Sequence, residues 1–262
     1  MPKIIHYLMM GLLLIGCNSN PGKTPEERIN YVVNQAFERG DFIGSVLVAN
    51  KGEVIYHKNL GMADAKRGIP IGDSTKFLLA SVSKPITAIL ILQLVDQGKI
   101  ELGDPLGNFF SIGNNTQASK VTVHQLLTHT SGIEELISED HAFEGADLEQ
   151  ASFSFEPGSD FEYSSTGYVI LKEIAERSSG KGFENLIEQI CKLAQMNSSG
   201  VTKDVHQSSD MAIGYKATDQ AELVEIGYPL KIVDGAGSLY ATANDLFKLD
   251  RALYTEKLFV HI

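Results

Sequence analysis

The stretch Ser81-Val82-Ser83-Lys84-Pro85, with the apolar residues 86–95 behind it, is the part of this chain that decides its fold. Proline fits an α-helix only within the first turn, so Pro85 predicts a helix that begins close to Ser81. Residues three apart on a helix lie on the same side, separated by about 4.5 Å along the axis. The spacing therefore predicts that Ser81 and Lys84 face one pocket, as a serine nucleophile and its lysine.

A purely structural interpretation of the same residues makes Ser81 an N-cap that satisfies free backbone N–H groups. Lys84 counts against it, because a lysine in the first turn faces the positive end of the helix dipole. A cap that only stabilises the helix is more typically followed by Glu at that position. On its own the S-x-x-K spacing is a weak pattern, and the rest of the chain has to decide between the two interpretations.

The composition is that of an ordinary globular protein, with 262 residues, 43% of them hydrophobic, and a net charge of −11. This length allows one large domain or two small ones. The acidic balance argues against nucleic acid as the main partner. The two cysteines, Cys17 and Cys191, cannot form a disulfide framework. The chain has no H-E-x-x-H, no phosphate-binding loop and no dinucleotide motif, so we predict no metal site and no cofactor.

The first 16 residues have the pattern of a secretory signal, with Lys3 ahead of an apolar run too short to span a bilayer. The run ends in Leu14-Ile15-Gly16-Cys17, which resembles the bacterial lipoprotein signal, where a small residue precedes a lipidated cysteine. The resemblance implies a signal peptide over residues 1–16, a lipid anchor at Cys17, a tether over residues 17–24 and a location in the cell envelope, outside the cytoplasmic membrane. An ordinary secretory peptide with an incidental cysteine is the alternative.

Residues 25–262 are predicted to form one α+β domain. A capping box at Thr24-Pro25-Glu26-Glu27 opens a helix, and residues 42–49 and 54–60 are predicted to pair as a hairpin. After Ser81 the pattern is mainly helical. Further helices are predicted over residues 122–128, 169–177, 183–193 and 244–254, with a tight glycine-rich bend at residues 235–239.

A serine nucleophile without a histidine needs another base, and a lysine can take that role. Tyr163 is a candidate second participant, since a phenol near an ammonium ionises more readily and can carry a proton between nucleophile and leaving group. Taken alone, Tyr163 is better explained as a core or surface aromatic. No flanking sequence indicates a Ser-His-Asp triad.

Four segments of the chain agree in order and separation with a known set of motifs. They are Leu79-Ala80-Ser81-Val82-Ser83-Lys84, Gln125-Leu126-Leu127-Thr128-His129-Thr130-Ser131-Gly132, Tyr163-Ser164-Ser165 and Gly235-Ala236-Gly237-Ser238-Leu239. Together they resemble the serine β-lactamase-like family, which includes class C β-lactamases, D-alanyl-D-alanine carboxypeptidases and related esterases. The resemblance implies a penicillin-binding-protein-like fold, an antiparallel sheet flanked by helices plus a mainly helical subdomain.

The same resemblance assigns roles to single residues. It implies that Ser81 is acylated, that Lys84 activates it and that Tyr163 shuttles a proton. The backbone N–H of Ser81 would form one half of an oxyanion hole. His129 is interpreted as a hydrogen-bonded packing residue rather than a catalyst.

Two features depart from the family pattern. Ser165, the implied substrate-binding residue, stands where the family usually has Asn, and a hydroxyl offers one donor where an amide offers two. The family's third motif, K-T-G or H-x-G, does not occur after Tyr163 in these 262 residues. In the family that motif lies on an inner strand and supplies the second oxyanion donor. The sequence therefore predicts a chain truncated at its C-terminus, with the last strands of the sheet missing.

The resemblance predicts a serine acyl-hydrolase that acts on a β-lactam, a D-alanyl peptide of peptidoglycan or an ester. One alternative is a catalytically inactive, truncated remnant. Another is a non-catalytic lipoprotein of the cell envelope, which leaves Ser81, Lys84 and Tyr163 unexplained.

Overall fold

The computed structural model describes residues 22–113, 116–217 and 223–259. The chain divides into two compact units, Met1–Phe42 and Ile43–Ile262. The predicted signal peptide and the Cys17 anchor lie outside the described residues, and the tether is described only from Gly22 onward. Within the described ranges, no helix combines the length and apolar character needed to cross a membrane.

The first unit is built around helix α1, Pro25–Glu38. Thr24 Oγ1 accepts a hydrogen bond from the Glu27 N–H at 3.1 Å, and the Glu27 carboxylate accepts one from the Thr24 N–H at 3.1 Å. This reciprocal pair satisfies two backbone donors that have no partner inside the helix. The capping box predicted from the sequence is confirmed.

The second unit mixes helices and short strands. Its helices are α2 (Ser83–Asp96), α3 (Val123–Leu127), α4 (Thr166–Ser179), α5 (Phe183–Ala194) and α6 (Ala243–Leu253). Its strands are β1 (Gly44–Asn50), β2 (Glu53–Leu60), β3 (Met62–Asp64), β4 (Ile69–Pro70), β5 (Phe77–Leu78), β6 (Gly200–Val201), β7 (Tyr215–Ala217), β8 (Leu223–Glu225) and β9 (Leu239–Ala241). The predicted hairpin and the helices that follow it are confirmed, with ends that differ by a few residues.

All strand pairs in the named sheets are antiparallel. β1 and β2 pair from Gly44 opposite Leu60 to Asn50 opposite Glu53, with a bulge between Val48 and Ala49. A second sheet has the order β5-β9-β6, and two further hairpins pair β3 with β4 and β7 with β8. The predicted mixed fold with an antiparallel sheet is confirmed.

Helix α2 lies at the centre of the core and packs against α4 and α5. A helix that is apolar on every side has to be covered on every side, and Ile86, Leu90, Ile91 and Leu94 are all buried. Cys191 on α5 belongs to the same core, where burial raises the pKa of its thiol to about 11. Its position agrees with the sequence interpretation of a small packing residue.

Most of the regular structure between Ser81 and Gly235 is helical, as predicted, but a long loop interrupts it. Residues 128–165 contain only a 3-10 helix, Gly145–Gln150, and β7 and β8 form a hairpin further on. This part of the chain turns sharply at Gly132 and Gly158, both with positive φ. Such turns interrupt the helical repeat, so the chain passes as a loop from α3 to α4.

Of the glycines in this loop, Gly132 leaves the least room for a side chain. Its φ is +71°, and a Cβ there would lie 2.2 Å from the Phe155 carbonyl oxygen. We expect Gly132→Ala to lower the free energy of unfolding by about 2–4 kcal/mol, from left-handed backbone strain together with overpacking. Urea denaturation of the purified protein measures this loss.

Gly98 provides the matched control. Its φ is +65°, but a Cβ there would meet nothing within 4 Å. Gly98→Ala should therefore lower the free energy of unfolding only through backbone strain, by about 1 kcal/mol. Equal losses in the two variants would show that the Phe155 carbonyl does not restrict the turn.

Candidate active site

Ser81 lies in a 3-10 turn, Ala80–Val82, directly ahead of α2. Val82 takes the N-cap position of α2 without a side-chain hydrogen bond, so Ser81 is not an N-cap and the purely structural interpretation is wrong. Ala80 has a φ of +45°, a left-handed conformation that costs a non-glycine residue on the order of 1–3 kcal/mol. This sharp turn between β5 and α2 leaves Ser81 exposed at the head of a buried helix.

Lys84 is buried, with 4% of its surface exposed. Its Nζ donates to Ser81 Oγ at 3.3 Å, to Ser165 Oγ at 3.3 Å and to the Ala236 carbonyl at 3.2 Å. An ammonium group has three N–H donors, and three acceptors lie within hydrogen-bond distance of this one. Lys84 thereby joins the start of α2, the start of α4 and the glycine-rich bend before β9.

The glycine-rich bend is itself tied to α2. Thr87 Oγ1 donates to the Gly235 carbonyl at 2.6 Å, and Ser83 Oγ accepts from the Leu239 N–H at 3.2 Å. Both side chains are buried. The two bonds lie on either side of Ala236, so they fix the carbonyl that accepts from Lys84.

Tyr163 lies over Lys84, with Nζ 4.8 Å from the ring centroid. The side chain is half open to solvent, at 52% exposure. Partial burial raises the pKa of Tyr163, but hydrogen bonding with Lys84 and Ser81 and the Lys84 charge together outweigh it, so the pKa lies below the ordinary tyrosine value. The lowered pKa and the nearby Lys84 charge make Tyr163 a candidate for proton exchange at this site.

His129 packs against the ring of Tyr163 and against that of Tyr168. Its ring stacks on Tyr163 at 4.6 Å and lies 5.2 Å from the ring of Tyr168, while Nδ1 accepts from the Ser164 N–H at 3.1 Å. Burial, followed by the Lys84 charge, lowers the pKa of His129, which favours the neutral imidazole that this bond requires. The contacts agree with the sequence interpretation of a hydrogen-bonded packing residue.

Glu135 is a neighbour of the site that sequence reasoning missed. Its Oε1 accepts from the Ser165 N–H at 2.6 Å, and its Oε2 accepts from the Thr166 N–H at 3.1 Å and from Thr166 Oγ1 at 2.7 Å. It lies 30 residues before Ser165 in a loop without a periodic pattern. No local signal relates such a residue to a distant helix start, so only the folded chain reveals it.

Ser45 is a second serine to consider as a nucleophile, because its hydroxyl contacts a histidine. Ser45 Oγ lies 3.2 Å from His57 Nε2, but Asp73 Oδ1 is 3.8 Å from His57 Nδ1 and instead accepts from Asn59 Nδ2 at 2.5 Å. A distance of 3.8 Å is too long for the hydrogen bond that orients the base of a triad. Among the described residues there is also no group of three side chains suited to hold a metal ion.

The fold and the meeting of Ser81, Lys84 and Ser165 define a protein of the serine β-lactamase and penicillin-binding-protein class. The family model described as Beta-lactamase matches residues 33–258, and the chain belongs to this family. Proteins similar to this chain include penicillin-binding proteins and an esterase, so the family includes serine hydrolases. The family prediction made from four sequence segments is confirmed.

Individual relatives are similar over much of the chain. PbpX of Bacillus subtilis, provisionally named a penicillin-binding protein, is 31% identical over 247 residues, which are 90% of this chain and 62% of PbpX. Esterase EstB of Burkholderia gladioli is 33% identical over 179 residues, 59% of this chain and 45% of EstB. A penicillin-binding protein structure from Bacillus halodurans superimposes with a TM-score of 0.75 at 28% identity, covering 87% of this chain and 75% of that one. The chain thus spans less than two thirds of the two curated relatives.

Proposed function

We propose that this protein is a serine acyl-hydrolase in which Ser81 carries the acyl group. The observation that carries the proposal is the buried Lys84, bound at once to Ser81 Oγ, Ser165 Oγ and the Ala236 carbonyl. A buried cation is costly unless its donors are all satisfied, and here the partners are a candidate nucleophile and groups that hold the lysine beside it.

In the acylation step, Ser81 Oγ attacks the carbonyl carbon of the substrate while its proton passes to the Tyr163 phenolate, which the Lys84 ammonium stabilises. The Ser81 N–H donates to the oxyanion that forms. Collapse of this intermediate breaks the bond to the leaving group, which takes the proton by way of Tyr163. In deacylation the phenolate takes a proton from water, water attacks the acyl-serine and the proton returns to Ser81 Oγ. Each proton is returned, so no cofactor is required.

The candidate substrates are a β-lactam, a D-alanyl peptide of peptidoglycan and an ester. Ser165 Oγ already accepts from Lys84, and a serine hydroxyl reaches less far than an amide. Substrates that depend on contacts to an acyl-amide side chain therefore gain less here than from an asparagine at this position. An ester makes no such demand, so ester hydrolysis is the form of the activity that we expect to be strongest.

The direct test is an assay of the full chain with a p-nitrophenyl ester and a chromogenic cephalosporin, combined with labelling by a fluorophosphonate and a fluorescent penicillin. Ester turnover faster than cephalosporin turnover supports the proposal. Labelling without turnover indicates an acyl-enzyme that does not deacylate, which fits a penicillin-binding role. The absence of both turnover and labelling would overturn the proposal and favour the inactive remnant or the non-catalytic lipoprotein.

We further propose that Cys17 anchors the protein to a membrane in the cell envelope. Only the sequence of residues 1–17 supports this location, through its resemblance to a lipoprotein signal. Incorporation of a fatty-acid analogue in cells, lost in Cys17→Ser, is the expected result. A secreted, unlabelled wild-type protein would contradict the anchor.

A further inference from the structure

We propose that Glu135 is a positioning residue for the proposed acyl transfer, because it fixes the start of α4 so that the Ser165 hydroxyl meets Lys84. The inference rests on the proposed function, and it concerns how the base is held rather than which substrate is used. Among the described residues, Glu135 makes no hydrogen bond with Ser81 or Lys84, so it positions Lys84 through Ser165 and acts on Tyr163 through its charge.

Two serines stand at the start of α4, and one of them caps the helix, since Ser164 Oγ accepts from the Gly167 N–H at 3.1 Å. Ser165 occupies the N-cap position, and serine normally caps a helix through its own hydroxyl. Here the Ser165 side chain makes no capping bond, and its Oγ accepts from Lys84 instead. The Ser165 hydroxyl thus serves the candidate active site instead of the helix, and the N–H groups of Ser165 and Thr166 need an acceptor other than these two serine hydroxyls.

Glu135 supplies that acceptor from a separate loop. Its two carboxylate oxygens accept from the Ser165 N–H, the Thr166 N–H and Thr166 Oγ1, at 2.6, 3.1 and 2.7 Å. Thr166 Oγ1 in turn accepts from the Leu136 N–H at 2.8 Å, so the loop and the helix hold each other. A carboxylate at a helix N-terminus also interacts favourably with the helix dipole.

The Glu135 charge also acts on the groups beside Ser81. The charged or titratable side chains that act on Tyr163 or contact its ring are Lys84, His129, Tyr168 and Glu135. For Tyr163, burial and the Lys84 and Ser81 contacts act first, and the Glu135 charge then raises the pKa. Removing the charge should therefore let Tyr163 ionise at lower pH, whereas a residue that only holds a loop would not move this titration.

The test compares Glu135→Gln with the matched control Glu134→Gln, which removes the same charge from the adjacent, exposed residue. The first readout is the rate at which a fluorophosphonate modifies Ser81. The second is the Tyr163 titration, taken from the absorbance difference near 295 nm between each protein and its Tyr163→Phe form. This second readout requires no turnover and no labelling, so it tests Glu135 even if Ser81 proves unreactive.

We expect Glu135→Gln to slow labelling by about 10-fold or more, since small displacements of catalytic groups cost this much, and to lower the pKa of Tyr163. Glu135→Asp keeps the charge but shortens the reach, so it should slow labelling and leave the titration in place. Glu134→Gln should leave the labelling rate unchanged. An unchanged Tyr163 titration in Glu135→Gln would overturn the inference, as would wild-type labelling in that variant. An unreactive Ser81 in the wild-type protein would instead count against the proposed function.

Discussion

Ser81→Ala is expected to abolish labelling by a fluorophosphonate and to lower ester turnover by about 10³-fold or more, since losing the nucleophile of a serine hydrolase costs on the order of 10⁶ in kcat. The reason is the position of Ser81 Oγ, 3.3 Å from Lys84 Nζ and exposed at the head of α2. The labelling is measured by in-gel fluorescence, and the turnover from the release of p-nitrophenol. Ser81 is exposed, so the substitution should leave the thermal stability nearly unchanged.

The matched control is Ser45→Ala, because the Ser45 hydroxyl contacts a histidine, His57, at 3.2 Å, as the nucleophile of a triad would. The Ser45 site lacks a carboxylate within hydrogen-bond distance of His57 Nδ1, so this variant should label and turn over as the wild-type protein does. Mass spectrometry of the labelled protein should place the adduct on the peptide that contains Ser81. Loss of labelling in Ser45→Ala, with labelling kept in Ser81→Ala, would reverse the assignment of the nucleophile.

Local patterns in the sequence predicted that Ser81 and Lys84 lie side by side, although only the four segments together assigned them to a family. Pro85 and the apolar run behind it require a buried helix that begins near Ser81, and the three-residue spacing then places Lys84 beside Ser81. The same reasoning explains the capping box of α1 and the β1–β2 hairpin, since each depends on residues only a few positions apart. These features follow from local backbone chemistry and were predicted correctly.

The rest of the site depends on contacts between distant parts of the chain. The Ala236 carbonyl reaches Lys84 across 152 residues and Glu135 reaches Ser165 across 30, and neither contact leaves a periodic or local signal. The loop between α3 and α4 carries no predicted helix, because Gly132 and Gly158 interrupt the helical pattern, but the path of the loop cannot be inferred from them. Strand β9 was missed because only its partners, β5 and β6, make its three residues a strand.

Lys84→Met is the second decisive substitution. We expect it to slow both ester turnover and Ser81 labelling by about 10²–10⁴-fold, the usual contribution of general acid–base catalysis. Methionine has nearly the same length but cannot accept or donate a proton at this position. The fold should survive, because replacing a buried cation by an apolar group of similar volume is often neutral for stability. The Ala236 carbonyl loses its Lys84 donor in this variant, which costs some stability.

Two measurements on two variants separate the role of Lys84 in chemistry from a role in folding. Lys248 on α6 pairs with the buried Asp245 at 2.7 Å and belongs to no part of the candidate site, so Lys248→Met should reduce thermal stability and leave the labelling rate unchanged. Lys84→Met should show the opposite result, a nearly constant melting temperature with a large loss of rate. If Lys84→Met melts far below the wild-type protein and its folded fraction still labels at the wild-type rate, Lys84 stabilises the core and takes no part in the proton transfer. A normal melting temperature with lost reactivity would assign Lys84 to the proton transfer from Ser81, because the serine itself is still present in that variant.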